Sequence, residues 1–450
     1  MYISSSVVYQ YVLPFNRLKL DSGLCLAKKG YWADYDYCLS LNNYLESLLS
    51  DFQLWQNSKR FHKKKYYMAF DMLLANLLNA HYREAQLLIS RDNTHHVYRA
   101  LNPDRISNRT LKVCCDYLAD KNLIALLIGK ANDRDKNASW CVPLMPLIAE
   151  LHKNKARVLL RDNAHLAIVR DKDKNPISPF KNRNKSLKLA RLEAPVKRHH
   201  QTWLNHTATL AGNYLLPWSR RIFNLDMEHG GRFYGNYQNL PSADRKRILI
   251  DGERTIEPDY RAIHFNILYA LEGLQFVGDP YLIKDHEHLR PVLKSICLHL
   301  VNIEHLSAFK ACITKSGNPA LQKLNSDYKA RREAYERHRA LGLKAIEPRE
   351  PKALDGFIEG LPVGSKGDEL LSLLLERHAP IAHHFGTEKI GLKLQRLDSE
   401  IMANALDRLQ GIPCLPVHDS IRCKVSDCGL VKSAMKSAFK DITGQSIIVT

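Results

Sequence analysis

Between Leu394 and Val425 the apolar residues change period, and that change dictates a helix followed by a hairpin. Leu394, Leu397, Ile401, Ala405 and Leu409 fall on one helical face, and Gly411 supplies a helix stop. Cys414 to Val417 then reads as a strand, His418-Asp419-Ser420 as a tight turn, and Ile421 to Val425 as the return strand. A second hairpin lies upstream: Ile248 to Ile250, the turn Asp251-Gly252, then Thr255 to Glu257. Asp-Gly suits such a turn because both residues tolerate positive φ. This hairpin delivers Asp259, and Ile263, Ile267 and Leu271 continue as a helix. Most aspartates before helices are caps. A carboxylate at a hairpin tip, beside His418, is harder to explain by structure alone.

Composition narrows the class. The chain has 450 residues, enough for two or three domains with a substantial core. Its 66 Lys and Arg against 47 Asp and Glu leave a net charge of +19, which suits a polyanionic partner, with a merely solvated basic surface as the level alternative on charge alone. Ten cysteines occur without a C-x-x-C pair, so reduced thiols are expected and no structural zinc site is readable. The apolar run Leu123 to Ile128 is too short to cross a bilayer, and the first residues lack the pattern of a secretory signal. A cytoplasmic protein without a membrane partner is expected.

Four segments are expected: residues 1–60, unassigned; 61–155, a basic domain; 156–200, a basic linker; and 201–450, the unit carrying both aspartates. In the second segment, Met68, Leu73, Leu74, Leu77 and Leu78 form one helix, and Leu111, Cys114, Cys115 and Leu118 form another capped by Ser107 or Asn108. Strands at Ile124 to Ile128 and Ser139 to Leu144 follow, joined by a charged turn at 132–137. The order resembles a winged helix-turn-helix, in which Arg109 and Lys112 would face nucleic acid. From 171 to 200 the sequence reads as an exposed linker that tracks a phosphate backbone.

Two carboxylates on rigid strand ends suit metal-assisted phosphoryl transfer. The Ser-His-Asp composition of 418–420 does not make a hydrolytic triad, whose members meet through tertiary folding. Asp259-Tyr260-Arg261-Ala262-Ile263-His264 and Val417-His418-Asp419-Ser420 resemble motifs A and C of a polymerase superfamily. That superfamily contains bacterial DNA polymerase I and the phage-type single-subunit RNA polymerases. Leu394-Gln395-Arg396-Leu397-Asp398-Ser399-Glu400 resembles the helix before motif C, and Gly231-Arg232-Phe233-Tyr234 an element of the RNA enzymes. The resemblance covers about the last half of the chain.

It implies an α+β fold: a palm with an antiparallel sheet, helical fingers, and the mainly helical basic domain in front. Asp259 and Asp419 would bind two Mg2+ ions, with Mn2+ as an alternative, and His418 would lie near the primer end. Arg290 and Lys294 would grip a nucleoside triphosphate, with Tyr260 and His264 beside it. Arg232, Tyr234 and Gln395 would contact the nucleic acid. Motif B departs from pattern, since Pro291 lies inside it and Asn302 stands where a tyrosine is expected. A bulky His264 favours dNTPs, whereas Ser420 and the Gly-Arg-Phe-Tyr segment favour the RNA enzymes; DNA polymerase is the reading carried forward. A single-subunit RNA polymerase or primase is the alternative, as is a DNA-binding replication or regulatory protein with a degenerate polymerase domain. Asp34 and Asp36 develop no exonuclease site, so no proofreading is expected. Mobile-element, plasmid or phage replication would suit so small an architecture.

Overall fold

The computed structural model describes residues 17–19, 30–32, 36–40, 43–57, 61–83, 85–90, 106–128, 138–174, 176–177, 183–284, 286–287, 290–303, 305–306, 328, 330–333, 335–336, 339 and 367–450. The fold is α+β, in two compact units: 1–221 with 234–255, and 222–233 with 256–450. No helix among the described residues is long and apolar enough to cross a membrane.

In the first unit, helices Asn43–Gln56, Lys63–Tyr82 and Asn108–Asp120 meet through aromatic edges. Phe52 lies 5.0 Å from Phe70 and 5.1 Å from Tyr117, distances at which edge-on rings attract. Ser107 caps the third helix as expected, its hydroxyl accepting from the Thr110 amide at 3.2 Å. The strands Ile124–Ile128 and Ala138–Pro143 are also present and antiparallel. They do not form a free wing, however. They are the second and third strands of a five-stranded sheet whose outer pairs, with Arg17–Lys19 and Gly30–Trp32, are parallel. The turn at 132–137 lies outside the described residues.

The expected linker is also folded. Val158–Leu160 and Ala167–Arg170 are strands, and Arg183–Trp203 is a 21-residue helix. Leu192, Val196, His199, His200 and Trp203 are all buried on that helix, at a spacing a helix places on one face. Two histidines complete the apolar stripe, and Pro195 is accommodated inside the helix. Buried charges in this unit are paired: Asp36 meets Arg220 at 3.2 Å and His165 at 3.2 Å, and Asp71 meets Arg161 at 2.9 Å. Asp36 is thus a paired core carboxylate; Asp34 lies outside the described residues.

The Asp251-Gly252 hairpin forms as read, with φ of 52° and 81° at its two turn residues. In the second unit, helix Ile390–Arg408 ends before Gly411, whose φ is 83°. It packs against helices Ile263–Leu271 and Cys428–Thr443. The hairpin Cys414–Val417 with Ser420–Lys424 pairs in the register that leaves His418 and Asp419 as its two-residue tip. Arg332 and Glu336 form an exposed i,i+4 ion pair at 3.1 Å, as a solvated helix would.

His378 is buried in this unit, between Tyr269 and Pro280. Its Nε2–H donates to the Pro280 carbonyl at 2.9 Å, which leaves Nδ1 to accept from the Tyr269 hydroxyl at 3.1 Å. The ring is therefore held neutral, and burial lowers its pKa from 6.5 to about 4. Between those values the unfolded chain binds a proton that the folded one does not, so stability rises with pH across the window. Acidification from pH 6.5 to 4 should cost about 3 kcal/mol at this residue. Urea midpoints for wild type and His378→Gln check this: the pH dependence should flatten in the variant, and parallel curves would refute it.

Candidate active site

Asp259 and Asp419 come together through backbone pairing. The Tyr260 amide donates to the Asp419 carbonyl at 3.1 Å, and the Ile421 amide to the Pro258 carbonyl at 3.0 Å. Asp259 and Ser420 form an antiparallel bridge. On its other side the Asp259 segment pairs with 448–450: the Thr450 amide donates to the Asp259 carbonyl at 3.0 Å, and the Arg261 amide to the Ile448 carbonyl at 3.0 Å. One aspartate is thus splinted between a hairpin tip and a third chain segment, which fixes its direction.

Two strained residues lie at this junction. His418 has φ 55° and Ala262 has φ 49°, both in the left-handed region that costs a side-chain-bearing residue about 1–2 kcal/mol. Glycine or asparagine would serve a plain turn better. Strain of this kind persists where surrounding structure over-determines the backbone, as it does at functional sites.

The electrostatics agree. Asp259 keeps an exposed flank and Asp419 is half-buried. Lost hydration, then Asp419, then Glu257 push the Asp259 carboxyl up to about 7, against the pull of Lys294 and the Tyr260 amide. Burial and like charges held close raise a carboxylate in this way. Glu257 was not singled out in the sequence. It accepts from the Ser420 hydroxyl at 3.0 Å and from Arg422 Nε at 3.0 Å, so it braces the strand carrying Asp419. Arg422 is itself buried, with Nη2 also on Glu257.

The remaining expected residues divide. Lys294 is exposed and close enough to act on Asp259 electrostatically. Arg290 is held by Asp279, with Nε and Nη2 each 2.6 Å from Oδ2. Arg261 approaches the same oxygen at 3.5 Å. Asn302 folds back onto its own helix, Nδ2 donating to the Leu298 carbonyl at 2.6 Å. His418 is exposed at the tip, beside Asp419.

Tyr260 does not face the site. Its ring is buried near Phe439 and its hydroxyl donates to the Met435 carbonyl at 2.6 Å, so only its backbone takes part. Arg232 and His264 are drawn together by Asp398, a buried carboxylate likewise not singled out before. Arg232 Nε lies 2.9 Å from Asp398 Oδ2, Nη2 bonds the same oxygen, and His264 Nε2 is 2.9 Å from it. Arg232 is thus committed to a carboxylate, and His264 is packed within the same network. Gln395 is half-buried on the helix bearing Asp398. Tyr234, Arg109 and Lys112 are exposed in the first unit.

No family model matches the chain, and no curated protein matches it. Among solved structures it is similar to the POL domain of Pol1 from M. smegmatis in complex with DNA primer-template and dNTP. The identity is 12%, over 90% of this chain and 71% of that one, with a TM-score of 0.24. A likeness at that score gives no support to function, which rests on the residues.

Proposed function

We propose that this protein is a template-directed nucleotidyltransferase, a small DNA polymerase that extends a primer with dNTPs. The observation that carries the reading is the backbone pairing that aligns Asp259 with the Asp419 hairpin tip and leaves both carboxylates accessible to solvent. An all-oxygen donor set of two aspartates, with Glu257 close by, suits a hard cation such as Mg2+. The crowding that raises the Asp259 pKa is the mark of a site built to take positive charge. Bound there, two such ions would lower the pKa of a primer 3′-hydroxyl and neutralise the pyrophosphate leaving group.

The chain's own groups do the positioning. Lys294 presents an exposed ammonium near Asp259, where an incoming triphosphate would bring its charge. Arg290 and Arg261 would reach phosphate oxygens by exchanging Asp279 for them. His418 stands beside Asp419, at the primer end. His264, bonded to Asp398, would crowd a ribose 2′-hydroxyl. The basic first unit, with Arg109 and Lys112 exposed, would bind duplex backbone. Replication of a mobile element, plasmid or phage in the cytoplasm, without proofreading, is the setting this architecture suits.

The Arg290–Asp279 pair favours one rival, a nucleic-acid-binding protein whose polymerase unit no longer turns over, because the triphosphate grip is already occupied. Extension of a labelled primer-template with Mg2+, supplied with dNTPs or rNTPs separately, decides. Extension with dNTPs supports the proposal, and with rNTPs makes it an RNA polymerase or primase. Tight binding with no extension favours the rival.

A further inference from the structure

Away from the aspartates, three side chains from two separate segments converge on one point. Glu272 follows helix Ile263–Leu271, while His383 and His384 end the short helical turn Ala379–His384. The two imidazole Nε2 atoms face the same carboxylate oxygen: Glu272 Oε1 lies 2.8 Å from His384 and 3.2 Å from His383. All three ligand atoms fall within 4.8 Å of one another, the only such group of His, Cys, Asp and Glu among the described residues. The two rings lie side by side, centroids 4.2 Å apart, and the site is open to solvent.

These are the dimensions of a metal site. An ion bound tetrahedrally by nitrogen and oxygen at about 2.0–2.1 Å separates its ligands by about 3.3 Å. The two observed carboxylate–imidazole separations, 2.8 and 3.2 Å, lie within a few tenths of an ångström of that value, and the two imidazole nitrogens lie within 4.8 Å of each other. Two imidazoles and one carboxylate leave a fourth position for water. The donors favour a borderline cation over the hard Mg2+ that an all-oxygen set prefers.

The platform is fixed before any ion arrives. Ile381 and Phe385, on either side of the histidines, are both buried. Thr387 Oγ1 donates to the His384 carbonyl at 2.7 Å. Gly386 has φ 72°, and a Cβ there would meet the Leu306 amide nitrogen at 2.8 Å, so the turn closes tightly. On the other segment, Gly273 ends the helix with φ 70°. Only side-chain rotation remains to be ordered on binding.

We propose that Glu272, His383 and His384 bind one Zn2+ ion, clamping the end of helix Ile263–Leu271 to the 379–384 turn. The site is separate from the Asp259–Asp419 centre, and the inference stands whether or not the protein polymerises. The helix begins three residues after Tyr260, so the clamp steadies the far end of the element that leads away from Asp259.

The test uses the full chain in an Asp419→Asn background, which removes one aspartate of the other centre as a competing ligand. Zn2+ stoichiometry and affinity are measured by competition with a chromophoric chelator, before and after adding His384→Ala, and separately Glu272→Gln. Both side chains lie at the surface, and circular dichroism confirms that each variant is folded. The expected result is one equivalent of Zn2+ that each substitution weakens at least tenfold, with Co2+ giving the strong visible bands of a four-coordinate ion only in the parent. Equal binding by parent and both variants overturns the proposal, because the zinc would then sit on other groups. So does parent protein that binds none.

Discussion

Asp419→Ala should abolish primer extension while leaving the protein at least as stable as before. On the proposed function, loss of one of the two carboxylates that would hold the metals removes several kcal/mol of transition-state stabilisation. A loss of about 4 kcal/mol corresponds to about a thousandfold in rate. Stability should move the other way, because Asp419 is one of the groups that raise the Asp259 carboxyl, and removing it relieves that repulsion. Template affinity should stay within about threefold, since no phosphate-binding cation is touched. The decisive measurements are single-turnover extension and thermal melting on the same preparation. Lost extension with an unchanged or higher Tm marks a carboxylate kept for chemistry rather than folding. A variant that melts early would make Asp419 a structural residue and remove the main support for the proposed activity.

Asp398→Ala should produce the opposite profile, a large loss of stability. Asp398 is buried and faces both Arg232 and His264. Truncating it leaves a cation without its partner in a protein interior, which typically costs 3–5 kcal/mol. The Arg232 side chain keeps 18% exposure, so water screens part of the penalty and the lower end applies, about 3 kcal/mol. For a unit of this size that lowers Tm by about 6–12 °C. Asp398→Asn, which preserves shape and one acceptor oxygen, should lose less. If Asp398→Ala melts with wild type, the network contributes nothing measurable to stability. With the fold held by low temperature, the alanine variant should also discriminate less between dNTPs and rNTPs, because His264 loses the group that orients it.

What the sequence made legible was local. The helix from Leu394 onward, its Gly411 stop, the Asp251-Gly252 turn and the hairpin with Asp419 at its tip all follow from short-range patterns. The functional partners of those elements did not. Glu257 and Asp398 stand inside segments that were read closely, yet their roles depend on Arg422 and Arg232, more than 160 residues away. Arg422 did carry a signal. It lies between Ile421 and Cys423 on a strand that is buried from Ser420 to Cys423, and an arginine in such a strand needs a buried carboxylate. Tyr260 was placed on the wrong side because successive residues of an extended segment alternate faces, and its neighbour Asp259 already claims the open one. In 183–203, charge density and Pro195 hid a helix whose buried face is completed by His199, His200 and Trp203. The winged-helix resemblance misjudged the hairpin at 124–143, whose two strands are interior to a five-stranded sheet.

The splint on Asp259 also sets a clock. Thr450 donates to Asp259 across a sequence separation of 191 residues, and no earlier segment substitutes for it. At synthesis rates of about 5–20 residues per second, that separation is about 10–40 s of translation. Throughout this interval the nascent chain carries Asp259 on a strand that lacks its 448–450 flank, while every residue of the first unit has already been made. A ribosome that stalls before residue 448 therefore leaves the Asp259 strand without the flank that residues 448–450 supply.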